Sequence, residues 1–178
     1  NIVSLRSITA GLCAAGLKMS EKTLANYVEY LCSAFLLYRV RRFDIAGKKY
    51  LSSGDKYYLV DHSFRYAKLG TKKLDFGHVY ENMVAIELIR RGFEIYVGAL
   101  YKKEIDFVAV RRAEKVYIQV RDDISSETTF EREISPLLKI RDAYPKIIIA
   151  RTRHETTDWE GVKVIDIARW LMGLEDWF

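Results

Sequence analysis

The chain has 178 residues, 49% of them hydrophobic, and a formal net charge of +5, enough for one ordinary domain or two small ones with real cores. No apolar run is long enough to span a bilayer and none resembles a secretory signal. A cytoplasmic protein without a membrane partner is therefore expected. Residues 1–70 carry 11 Lys/Arg against 5 Asp/Glu, and residues 71–178 carry 18 against 19. This contrast points to two modules, only the first shaped by a polyanion. Cys13 and Cys32 stand among apolar residues at helical spacing, the pattern of buried free thiols in a reducing compartment. The chain starts at Asn1 without an initiator Met, as an excised piece of a longer protein would.

Residues 4–15 are predicted to form a helix with a stripe of Leu5, Ile8, Leu12 and Cys13, stopped by Gly16. Ser20 is placed to cap a second helix bearing Leu24, Tyr27, Val28 and Leu31 on one face. Lys22, Asn26 and Glu29 fall on its more polar faces. A basic run (Arg39, Arg41, Arg42), a turn over 45–49 with Lys48 and Lys49, and a β-rich segment over 56–61 follow. Helix–turn–helix followed by strands around a glycine turn describes a winged helix. On DNA, its second helix would enter the major groove and its wing would contact phosphates. The candidate nucleic-acid contacts are Lys22, Asn26, Arg39, Arg41, Arg42, Lys48 and Lys49. A protein-docking role is the alternative, since Glu29 would repel phosphate.

Residues 71–75 read as a linker into a helix from Phe76 to Arg91, stopped by Gly92. That helix is apolar nearly all round, so it is expected to be buried. Glu81 then lies between Val84, Ala85 and Leu88, where a bare carboxylate needs a metal, a cation or a route to water. Strands are expected at 93–97, 104–110 and 116–121, with a turn over 98–103. In the third of these, Tyr117, Gln119 and Arg121 share a face. A helical stretch over 130–143, opened or kinked by Pro136, a strand at 146–150, a short strand at 162–165 and a last helix at 167–171 complete an α-β-β-β-α-β order.

An acid on a helix, an Asp in an apolar strand and a polar-x-basic pair on the next strand define the candidate site: Glu81, Asp106, Gln119 and Arg121. With this element order, the chain resembles the restriction-endonuclease-like, or PD-(D/E)xK, nuclease superfamily. More specifically, it resembles the C-terminal portion of a bacterial and archaeal family of AAA-type ATP-binding proteins. The likeness is carried by the segments 56–61 (Lys-Tyr-Tyr-Leu-Val-Asp), 80–82 (Tyr-Glu-Asn), 90–98, 104–108 (Glu-Ile-Asp-Phe-Val), 117–120 (Tyr-Ile-Gln-Val) and 143–146 (Ala-Tyr-Pro-Lys). The resemblance implies an α/β (α+β) chain: a winged helix over residues 1–70, then a restriction-endonuclease-like domain over 71–178. It also implies an ATPase core elsewhere in the full-length protein. That core would be the only part to bind ATP, since this chain has no GxxxxGK[ST] phosphate loop.

The same resemblance sets Glu81, Asp106, Gln119 and Arg121 where active members keep a helix acid, a strand Asp, an Asp/Glu and a Lys. Glu81 and Asp106 offer the minimum of hard ligands for Mg2+ or Mn2+. Gln119 lacks the expected charge, and Arg121 stays protonated and cannot act as a base. The expectation is a degenerate, inactive nuclease-like site in a targeting or regulatory fragment that binds nucleic acid or the ATPase core. In that fragment Glu81 and Asp106 would pair with Arg121 as an ionic remnant. The alternatives are a metal-dependent nuclease acting on DNA and a protein-interaction or oligomerisation module. Arg132 and Glu133 could extend the cluster or simply face solvent. His62, His78 and His154 are too dispersed for a zinc site.

Overall fold

The computed structural model describes residues 4–51, 54–70 and 75–177. In chain order the elements are α1 (Leu5–Ala14), α2 (Glu21–Ser33), β1 (Leu37–Val40), β2 (Arg42–Asp44), β3 (Lys49–Tyr50), β4 (Lys56–Leu59), α3 (Ser63–Leu69), α4 (Phe76–Arg90), β5 (Glu94–Leu100), β6 (Lys103–Arg111), β7 (Glu114–Arg121), α5 (Glu127–Leu138), β8 (Lys146–Ala150), β9 (Thr157–Trp159), β10 (Val162–Asp166) and α6 (Ile167–Leu171). This is a mixed α+β fold, with six helices among the described residues and a large mixed sheet. Residues 71–74 of the expected linker, like Asn1, lie outside the described residues. No described helix is long and apolar enough to cross a membrane.

The eight-stranded sheet runs β3-β2-β5-β6-β7-β8-β10-β9. Val84, Ala85 and Leu88 of α4, with Trp170 of α6, cover one face over Phe107, Ile118, Val120, Ile147 and Ile149. Ile134 and Leu137 of α5 cover part of the other, over Ile105, Val108, Tyr117 and Ile148. Helix starts follow the expected chemistry. The hydroxyls of Ser4, Ser20 and Ser126 and the carboxylate of Asp75 accept backbone N–H groups in the first turns of α1, α2, α5 and α4.

Several boundaries differ from expectation. The hairpin β2–β3 does not stand alone as a wing: β2 pairs in parallel with β5, whereas β1 pairs with β4 in a separate two-stranded sheet. Residues on both sides of position 70 thus build one sheet. The expected turn over 98–103 is strand as far as Leu100, because β2 supplies hydrogen-bond partners beside Val97 to Ala99. Gly98 permits this approach, since a Cβ there would lie 2.8 Å from Ile45 Cδ1 and 2.9 Å from Ile105 Cβ. The helix expected over 130–143 is α5, capped earlier by Ser126, accommodating Pro136 within it and ending at Leu138. Helix α3 and strand β9 had no sequence counterpart in the expected order.

The thiols are free, but Cys13 is exposed and Cys32 half-buried, contrary to the buried environment expected. The reason is that α1 buries none of its residues and α2 buries only Leu24. The apolar stripes of these two helices face each other and solvent instead of a core.

Candidate functional site

The site lies in a fork. Strands β6 and β7 are in register from Phe107↔Ile118 to Arg111↔Glu114 and then part, β6 continuing along β5 and β7 along β8. A register shift between Tyr96 and Gly98 also sets two residues of β6, Asp106 and Phe107, against one residue of β5. Such a bulge re-aims a side chain. Side chains take over the hydrogen bonding that the ladder abandons. The Asp106 N–H donates to Gln119 Oε1 at 2.7 Å, and the Val120 N–H donates to Asp106 Oδ2 at 2.9 Å.

Four polar side chains of this fork and the facing helices are nearly out of water: Glu81 at 8% exposure, Asp106 at 5%, Gln119 at 3% and Glu133 at 2%. Burial of that depth demands partners. Gln119 Nε2 donates to Glu133 Oε2 at 3.1 Å. Arg121 Nε lies 2.8 Å from Glu133 Oε1, an ion pair without hydrogen-bond alignment. Arg132 reaches the same carboxylate from solvent at 3.0 Å. Glu133 therefore belongs to the cluster, and it, rather than Glu81 or Asp106, takes the Arg121 guanidinium in contact.

The partner of Glu81 comes from β4. Lys56 Nζ lies 2.9 Å from Glu81 Oε1 and 2.6 Å from Glu104 Oε1, and the Tyr58 hydroxyl donates to Glu81 Oε1 at 2.7 Å. Strand period places Lys56 and Tyr58 on one inward face. Asn82 fixes that strand over α4, accepting the Leu59 N–H and donating to the Leu59 carbonyl, both at 2.8 Å. Sequence reasoning missed Lys56, Tyr58, Asn82 and the role of Glu104. The available signal was a lysine on the inward face of an aromatic strand, complementary to an inward glutamate on a buried helix.

The electrostatics follow from this geometry. Burial, then the neighbouring Glu81 carboxylate, push the Asp106 carboxyl up to about 7, against the pull of Arg121 and Lys56. Burial also opposes the charge on Glu81, but the Lys56 ammonium and the Tyr58 hydroxyl outweigh it and hold Glu81 below its ordinary value. Burial would lower Lys56, yet Glu81, Asp106 and Glu104 together raise it. The stable arrangement is an ammonium on an ionised Glu81 beside a carboxyl that readily keeps its proton.

The residues do not fit a divalent ion between Glu81 and Asp106. The ammonium already occupies Glu81, Asp106 accepts a backbone N–H, and Gln119 is committed to both neighbours. Among the described residues no group of three or more His, Cys, Asp or Glu is disposed to hold a metal. The site as built fixes α4, β4 and β6 together through Glu81, Lys56 and Glu104.

The expected nucleic-acid contacts are dispersed. Lys22 and Asn26 are exposed on α2, Arg41 is exposed between β1 and β2, and Lys48 and Lys49 are exposed on the β2–β3 hairpin. Arg39 is spent on Glu29 and Asp55, and Arg42 lies 3.9 Å from Glu104. The Arg39 contact also neutralises Glu29, the acid expected to repel phosphate.

Residues 3–75 match a family model described as a domain of unknown function (DUF8612). The chain is similar to an uncharacterized protein of Haemophilus influenzae, 37% identical over 171 residues that cover 96% of this chain and 42% of the relative. It is also similar to an uncharacterized protein of Methanocaldococcus jannaschii, 32% identical over 138 residues that cover 75% of this chain and 30% of the relative. The chain thus spans less than half the length of both relatives. No solved structure gives a significant match.

Proposed function

We propose that this chain is a non-catalytic C-terminal targeting or regulatory region of an AAA-type ATPase. In this reading a winged helix and a restriction-endonuclease-like domain share a sheet, nucleic acid is the partner, and the ancestral metal site is a fixed ionic cluster. The observation that carries it is the Lys56 ammonium seated on Glu81 and Glu104, which engages the helix carboxylate that a metal would need as a ligand. The amide at Gln119 supports it further: a carboxylate there would face Glu133, whereas the amide both accepts from Asp106 and donates to Glu133. The ATPase attribution rests on the motif resemblance. Both relatives carry chain beyond the matched region, as that attribution requires.

Incubation of branched, nicked and single-stranded DNA with Mg2+ or Mn2+ tests the proposal. Wild type and Asp106→Ala are expected to be equally inert, while duplex DNA binds in a salt-dependent manner. Metal-dependent cleavage lost in Asp106→Ala would replace this reading with a nuclease.

A second reading, docking to protein, is favoured by one observation: Tyr27, Tyr30, Leu31 and Phe35, on and just after α2, are large and exposed. Here Tyr30→Glu should abolish association with the ATPase core or a second copy without altering DNA affinity.

A further inference from the structure

We infer that the sheet face left open beside α5 is a binding surface for single-stranded nucleic acid, distinct from the helix pair and from the ionic cluster. Helix α5 covers only part of this face. Toward β3, no helix among the described residues covers it, and aromatic rings form the surface. Tyr50 and Tyr96 have ring centroids 5.2 Å apart, and Phe43 lies 5.6 Å from Tyr50 and 6.3 Å from Tyr96. Lys115 continues the row, its Nζ 5.3 Å from the Phe43 centroid and 4.9 Å from that of Tyr144. Tyr50 is 63% exposed and Tyr144 43%, so both rings present themselves to a ligand.

Cations outnumber acids along the groove beside the rings. Lys48, Lys115, Lys139 and Arg141 line a groove of about 730 Å3 together with Tyr101 and Tyr144. Asp142, the acid in that lining, is already taken by the Tyr117 hydroxyl at 2.6 Å and by Lys146 at 3.7 Å. Glu94 accepts the Tyr96 hydroxyl at 3.0 Å, a contact that orients this acid at the edge of the rings without neutralising it. No ion pair among the described residues engages Lys48, Lys139 or Arg141. A row of open rings with unpaired cations along one side fits a strand whose bases stack while its phosphates are neutralised. A duplex would keep its bases stacked internally and leave the rings unused. An acidic polypeptide would use the cations but would not need the rings.

Fluorescence anisotropy of the 178-residue chain with labelled oligothymidylate tests this. Tyr50→Ala and Tyr144→Ala, both at exposed sites, should each raise Kd about tenfold. Tyr30→Ala, an equally exposed tyrosine on α2, should leave it unchanged. Lys139→Ala with Arg141→Ala should flatten the dependence of Kd on salt. Absence of oligonucleotide binding at low salt, or wild-type affinity in both ring variants, overturns the inference. So does displacement by poly-glutamate as effective as by unlabelled oligonucleotide, which would make this a surface for acidic polypeptides. The outcome is separable from the proposed function: Lys22→Ala should weaken duplex binding and leave oligothymidylate binding intact, and no cleavage is measured.

Discussion

Lys56 Nζ lies 2.9 Å from Glu81 Oε1, joining a short strand to a buried helix 25 positions further along the chain. Both groups are largely withdrawn from water, so each is tolerable only because of the other. The pair ties the two-stranded sheet to α4, and the contact of the same ammonium with Glu104 extends the tie to the large sheet.

Removal of the ammonium strands an ionised carboxylate. Lys56→Met is expected to destabilise the protein by about 3–5 kcal/mol, read as a shift of the urea midpoint. Lys56→Met combined with Glu81→Gln should recover much of that loss, since the buried charge goes with its partner.

Restoring an acid at position 119 should not restore a site. Gln119→Glu replaces a donor 3.1 Å from Glu133 Oε2 with a second carboxylate. The lost charge-assisted bond and the new repulsion should cost about 2–3 kcal/mol at neutral pH. Thermal melting with and without Mn2+ checks this: the cost is expected to persist with metal and to shrink as pH falls and the acid protonates.

Asp106 sets a dependence on pH with an unusual sign. Its folded value of about 7 lies above the unfolded value of about 3.9. The folded state therefore binds more protons between them, and the contribution of Asp106 is fully present at the lower pH and lost as pH rises through the folded value. Glu81, depressed in the fold, acts oppositely: its contribution is present above its unfolded value of about 4.3 and is lost on acidification. Asp106→Asn should match wild type near pH 4 and become progressively more stable than it toward pH 8, as measured by denaturation midpoints across that range. A carboxyl resonance of Asp106 titrating below about 5 would contradict it.

Gly98→Ala is expected to cost about 1–3 kcal/mol by overpacking, because the new methyl meets Ile45 Cδ1 and the backbone-anchored Ile105 Cβ. Of the two, only the Ile45 terminus can swing aside. Protection of the β2 amides from hydrogen exchange should fall more than that of β7.

Local chemistry was legible in the sequence. The serine cap at position 20, the glycine stops at 16 and 92, the apolar helix α4 and the strand runs at β6, β7 and β8 depend on neighbours a few residues away, and they lie close to where the sequence pattern put them. The gathering of Glu81 near Asp106 was an expectation of the family resemblance, not of any local pattern. The role of Gln119 was not legible, because whether an amide is a weakened ligand or a required donor depends on Glu133, which α5 brings to it.

Sequence by itself determined the mixed α+β character, the burial demanded of α4 and the need of Glu81 for a metal, a cation or a route to water, since hydrophobic period and charge in an apolar stripe are properties of one segment. Tertiary structure alone decided that the Lys56 ammonium answered that need, where β2 found its partner and how β6 and β7 part around Asp106. Those outcomes turn on contacts between residues distant in the chain, and no local pattern encodes which of several lysines, strand edges or carboxylates will meet.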